Sequence, residues 1–151
     1  MEKTFDIALK NRAILKSFLN DFSLEELNRI PKGFKNNIIW NIAHVVVTQQ
    51  LLVYNLSGLP MIPSEEMVAD FRKGTKPERD LTQDEVDEIK NLLFSTIEKT
   101  REDYHKGIFK NFQEYPTSVK ITLTNVEDAM AFNNFHEGIH LGYILALKKS
   151  L

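Results

Sequence analysis

The chain has 151 residues, 42% of them hydrophobic and 26% charged, with 19 basic against 21 acidic side chains and no cysteine. That length suits one domain, residues 1–151, and is short for two. The missing thiols exclude cysteine nucleophiles, Cys-type zinc sites, iron–sulfur clusters and redox pairs. A formal net charge of −2 with no basic stripe argues against nucleic acid as a partner, because phosphate contacts draw on a surplus of Lys and Arg.

The opening stretch, MEKTFDIALKNR, mixes charges with apolar residues and lacks the apolar centre of a signal peptide. A first helix is expected over residues 3–22, where Phe5, Ala8, Leu15, Phe18, Leu19 and Phe22 recur at helical spacing. Ser23 and Glu26 then form a capping-box pattern for a short helix that ends before Pro31. The second long segment, residues 37–56, is apolar on more than one face, which suits a central helix or one that also meets a partner subunit. Its Val45-Val46-Val47 run would fit a strand, but the segment is too long for one. Asn41, His44, Thr48, Gln49, Gln50 and Asn55 make it too polar for a membrane span of about 20 residues. The protein thus reads as soluble and cytoplasmic, with no membrane partner.

The connection over residues 58–81 is long and punctuated by Pro60, Pro63, Gly74 and Pro77, with Ser64 placed to cap a short helix through Phe71. Connections of this size are often functional. A third helix begins at Thr82, with Glu85 as capping partner, and carries the stripe Val86, Ile89, Leu93, Ile97 and Thr100. Alternation at Val119, Ile121 and Leu123 suggests one short extended stretch. Thr124, with Glu127, is then expected to cap a fourth helix that runs almost to Leu151. Four long helices around one core indicate an all-α helix bundle with short extra helices in its connections.

The fourth helix carries the sharpest feature. On the expected stripe Ala129, Phe132, Ile139, Tyr143 and Leu147 lie His136 and His140, four residues apart and on one face. Two imidazoles at that spacing can reach one ion, and a divalent site commonly needs three ligands. His44, on the second helix's stripe with Trp40, Val47 and Leu51, is a third candidate, since bundles build metal sites from inward side chains on facing helices. Spacing alone leaves metal ligation and plain core histidines open. His105, near a helix C-terminus, suits solvent instead.

His136-Glu137-Gly138-Ile139-His140 also matches the H-E-x-x-H pattern of zinc peptidases. Eleven residues follow His140 and none is His, Glu or Asp, so no downstream ligand completes that site. No substrate-aligning sheet is expected before the motif either.

Two stretches together resemble the DinB-like superfamily: Ile39-Trp40-Asn41-Ile42-Ala43-His44, and His136-Glu137-Gly138-Ile139-His140-Leu141-Gly142-Tyr143-Ile144. The length, helix order and long second connection agree with it. The resemblance implies a four-helix bundle of up-down-down-up order holding zinc or nickel through His44, His136 and His140. It also implies homodimers, and thiol-dependent transferases or isomerases among characterised relatives.

A three-His divalent ion could activate a thiol or a water, so the sequence suggests a metal-dependent transferase on a small-molecule substrate, with a low-molecular-weight thiol as cosubstrate. A metal-dependent hydrolase is permitted by the same ligands, and a non-catalytic, structural metal bundle acting through a partner is the reading from another class. Asn41, Thr48, Asn133 and Glu137 are candidates for groups that orient the ligands. Arg72, Lys73 and Lys76 fit either an anion-binding mouth or a solvated loop.

Overall fold

Side-chain caps set most of the helix starts. Ser23 accepts from the Glu26 backbone N–H while Glu26 takes the Ser23 N–H at 2.8 Å, and Thr82 and Glu85 repeat the exchange at 2.7 Å. Ser64 accepts from the Met67 N–H. The start of the last helix differs from expectation by one residue. Asn125, in extended conformation, is the cap and accepts from the Asp128 N–H at 2.8 Å, while the Asp128 carboxylate turns back onto Thr124. Asn caps at least as well as Thr, and Glu127 is left to accept from the Tyr104 hydroxyl at 2.8 Å.

The computed structural model describes residues 1–151. Its elements are α1 (Glu2–Asp21), α2 (Leu24–Asn28), α3 (Ile38–Gln50) continued by a π turn (Leu51–Asn55), α4 (Glu65–Phe71), α5 (Gln83–His105), β1 (Tyr115–Pro116), β2 (Thr122–Leu123) and α6 (Val126–Lys148). The chain is therefore all-α apart from one two-residue antiparallel pair, Tyr115 with Leu123 and Pro116 with Thr122. Among the long helices, α1 and α3 each pack against both α5 and α6. No helix is long and apolar enough to cross a membrane.

This placement explains the apolar character of α3. Every residue from Ile38 to Gln50 is buried except Thr48, which is half-buried. The second apolar face that a partner subunit could have used is taken up by the chain's own helices.

In α6 the buried face is Val126, Ala129, Met130, Asn133, Glu137, Ile144 and Leu147. The expected stripe is rotated: Ile139 is 51% exposed and Tyr143 36%. A helix apolar all round has no polar side to set its phase, so its orientation is decided by what it packs against.

Candidate metal centre

The three candidate histidines come together. His44 lies on the second turn of α3, His136 and His140 lie one turn apart on α6, and these two helices pack side by side. One ligand nitrogen from each lies within 4.8 Å of the other two. His44 Nε2 and His136 Nε2 are 3.3 Å apart. That separation is close to the edge of a tetrahedron built from metal–nitrogen bonds of about 2.0–2.1 Å, roughly 3.3 Å. His44 is buried, and His136 and His140 are half-buried.

Two of the rings have their protons placed by the backbone and by an amide. His44 Nδ1 lies 2.6 Å from the carbonyl oxygen of Phe71. A carbonyl only accepts, so Nδ1 carries the hydrogen and Nε2 keeps its lone pair. Phe71 is the last residue of α4, where helix carbonyls lack an intrahelical partner. The long second connection thus reaches the site through one backbone oxygen.

His140 Nδ1 lies 2.8 Å from Asn41 Oδ1. The Asn41 amide is oriented independently, since its Nδ2 donates to the Asn37 carbonyl at 2.7 Å and to Asn36 Oδ1 at 3.1 Å. Its oxygen must face His140, which fixes Nδ1–H and frees Nε2. Asn37 caps α3 and donates to the Asn28 carbonyl at 2.8 Å, so the orientation is anchored in α2. Trp40 stacks on His44, with ring centres 4.8 Å apart and planes 10° from parallel. Thr48 Oγ1 lies 3.3 Å from His44 Nε2.

All three imidazoles are neutral at ordinary pH. Burial holds His44 below the usual histidine range, against the opposing bond to Phe71. His136 is pushed down to about 3 by burial and by repulsion from His140, His44 and Arg12, and His140 to about 4 by burial and His44. Neutral imidazoles with free Nε2 lone pairs are the form that binds a divalent ion, so the donor set fits one.

Asn133 and Glu137 make no hydrogen bond to the histidines. Both are fully buried on the neighbouring strip of α6, where Glu137 faces Arg12 of α1. Arg12 Nε and Nη2 lie 2.9 and 2.8 Å from Glu137 Oε1, and Asn133 Nδ2 donates to that same oxygen at 2.7 Å. The guanidinium also reaches the Leu93 and Val45 carbonyls at 3.4 Å, so one side chain touches α6, α5 and α3 from α1. Glu137 is thereby spent on an ion pair in the core and cannot act as the base of a peptidase motif. Arg12 is the residue that the sequence reading passed over. Its signal was present: it falls on the stripe Phe5, Ala8, Leu15, Leu19, a charge in register with core positions.

A cavity of about 750 Å³ borders Trp40 and Phe71, the two residues that hold His44. Lys35, Asn36, Lys76 and Arg79 contribute to its wall, whereas Arg72 and Lys73 do not line it.

Comparison with curated proteins returns no match. A family model described as the DinB superfamily matches residues 8–144. The matched span runs from α1 into the last turns of α6 and takes in Arg12, Glu137 and the three candidate ligands His44, His136 and His140. The chain belongs to the DinB superfamily.

Proposed function

We propose that the protein is a metal-dependent enzyme with an open three-His site, and that its reaction is S-transfer from a low-molecular-weight thiol to a small-molecule substrate. The fold is read as a four-helix bundle of up-down-down-up order; the ring of contacts in which α1 and α3 each lie against α5 and α6 supports the bundle. The observation that carries the functional reading is the convergence of three neutral histidines, with no fourth His, Asp or Glu in the group. Three protein ligands leave room for an outside one, as in catalytic rather than structural sites.

A divalent ion such as zinc or nickel, when bound, supplies a Lewis acid that lowers the pKa of a thiol or water ligand. The chain's own groups do the positioning. Phe71 O and Asn41 Oδ1 hold the Nδ1 protons of His44 and His140, so that the opposite nitrogens point inward. Thr48, half-buried beside His44, is placed to donate a hydrogen bond to an anionic ligand. Because the chain has no cysteine, a reacting sulfur has to arrive with a cosubstrate. The cavity against Trp40 and Phe71 is of a size that takes a small molecule.

The test is titration of the cobalt-loaded protein with small thiols, followed by visible absorption. The proposal expects each thiol to shift the cobalt bands and to be consumed when an electrophile is added. A spectrum indifferent to every thiol and anion would establish a closed, structural site instead. Bands that respond to hydroxide but never to thiols would favour a hydrolase.

A further inference from the structure

Two of the three histidines have an acceptor for the ring nitrogen that faces away from the metal position, and the third has none. His44 Nδ1 meets the Phe71 carbonyl, and His140 Nδ1 meets Asn41 Oδ1. His136 turns Nε2 toward His44 Nε2, 3.3 Å away, while its Nδ1 is buried without a hydrogen-bond partner. A neutral imidazole that ligates through Nε2 carries its hydrogen on Nδ1. A buried donor left without an acceptor costs about 1–3 kcal/mol, so the metal-loaded site calls for an acceptor at this ring.

Three buried side-chain oxygens of α6 lack a donor: Asn133 Oδ1, Asn134 Oδ1 and Glu137 Oε2. Helix geometry separates them. At 100° per residue, Asn133 lies about 60° around the axis from His136, Glu137 about 100° and Asn134 about 160°. Asn134 also sends its amide nitrogen to the Thr4 carbonyl on α1, away from the histidines. Helical side chains lean toward the N-terminus, so the His136 ring lies over the turn that carries Asn133. The Asn133 amide cannot turn round. Its Nδ2 donates to Glu137 Oε1 at 2.7 Å, and a carboxylate paired with an arginine only accepts. The planar group therefore presents Oδ1 on the arm away from Glu137, which is the His136 side.

We infer that Asn133 is the positioning residue of His136: its Oδ1 takes the Nδ1 hydrogen when Nε2 ligates the ion, and the buried Arg12–Glu137 pair sets the direction of its amide. A small swing of the His136 ring closes the bond. Each ring is then oriented by its own acceptor: a carbonyl of α4, an amide of α3, and an amide of α6 anchored on α1. The charges at the bundle centre gain an explanation. A buried ion pair adds little stability over apolar residues of similar volume, and Glu137 Oε2 is left bare here. What the pair supplies is direction, because apolar residues in place of Arg12 and Glu137 would give Asn133 Nδ2 no acceptor. Arg12 thus acts on the metal centre through two intervening side chains. The inference rests on the three-His centre proposed above, and not on its thiol chemistry.

The experiment measures zinc affinity by chelator competition, and the urea midpoint, on the same full-length proteins. Asn133→Leu is expected to bind zinc about 10–100-fold more weakly than the wild type. Arg12→Met/Glu137→Met is expected to bind it about tenfold more weakly with a urea midpoint near the wild type's, a loss that stability does not account for. Adding Asn133→Leu to that double variant is expected to weaken zinc little further, since its amide is already undirected. Glu137→Gln keeps an oxygen for Asn133 Nδ2 and is expected to bind zinc as the wild type does. In nuclear magnetic resonance of the zinc-loaded, isotope-labelled protein, the His136 ring N–H signal is expected to move upfield in Asn133→Leu, while those of His44 and His140 stay. Wild-type affinity in Asn133→Leu or in the double Met variant overturns the inference, and so do losses that add fully in the triple variant. A wild type that holds no zinc overturns the metal reading itself, and this inference with it.

Discussion

Removing the Arg12 guanidinium should cost more stability than any other single polar substitution in this chain. Both Arg12 and Glu137 have side chains with no solvent exposure, so Arg12→Met leaves a carboxylate buried without a counter-charge. Breaking one partner of such a pair typically costs about 3–5 kcal/mol. That is a large share of the roughly 5–15 kcal/mol that holds an ordinary domain together. With a urea m-value of about 2 kcal/mol/M, the midpoint should fall by about 1.5–2.5 M. Glu137→Met should behave similarly, because it strands the guanidinium. The double variant Arg12→Met/Glu137→Met should recover most of the loss, since apolar replacement of a whole buried pair is often close to neutral. Geometry favours that recovery: Oε1 of Glu137 takes all the donors, and Oε2 has no partner. Urea unfolding followed by circular dichroism measures all three. Single variants that lose less than about 1 kcal/mol, or a double variant that loses the sum of both, would refute the reasoning.

Other outcomes follow from the same geometry. Glu137→Gln should leave bound metal unchanged by elemental analysis while lowering stability, since its carboxylate faces Arg12 and not the histidines; loss of metal with unchanged stability would contradict this. His44→Ala should release the ion, and Asn41→Leu should weaken metal affinity by about 10–100-fold in chelator competition, because it removes the acceptor that orients His140. The metal-free protein should lose stability on acidification from about pH 7.5 to about pH 5. Its folded-state histidines resist protonation down to about 3 and 4, while the unfolded chain takes up protons near 6.5, so the unfolded state gains protons first. A urea midpoint flat across that window would sink this prediction. Asn125→Ala should cost about 1 kcal/mol in thermal unfolding as the α6 cap, and more than Thr124→Ala.

The sequence alone was sufficient for the helices, because local chemistry determines them. Ser23, Ser64 and Thr82 cap where they were expected to, and the apolar spacing of α1 and α5 points the same way as their buried residues. It also put His136 and His140 on one face, since a His pair at i and i+4 faces one way in any helix, whereas spacing left their role open and only the family resemblance joined His44 to them. The phase of α6 was not legible. Its side chains are apolar nearly all round, so only contact with α1 and α3 decides that Glu137 turns inward and Ile139 outward. Nor could spacing reveal that Phe71 O and Asn41 orient the rings, or that Arg12 answers Glu137 across 125 positions of sequence. Those partners are distant along the chain and meet only when the helices pack, and it is the energy of burying a charge or an imidazole that makes their meeting obligatory.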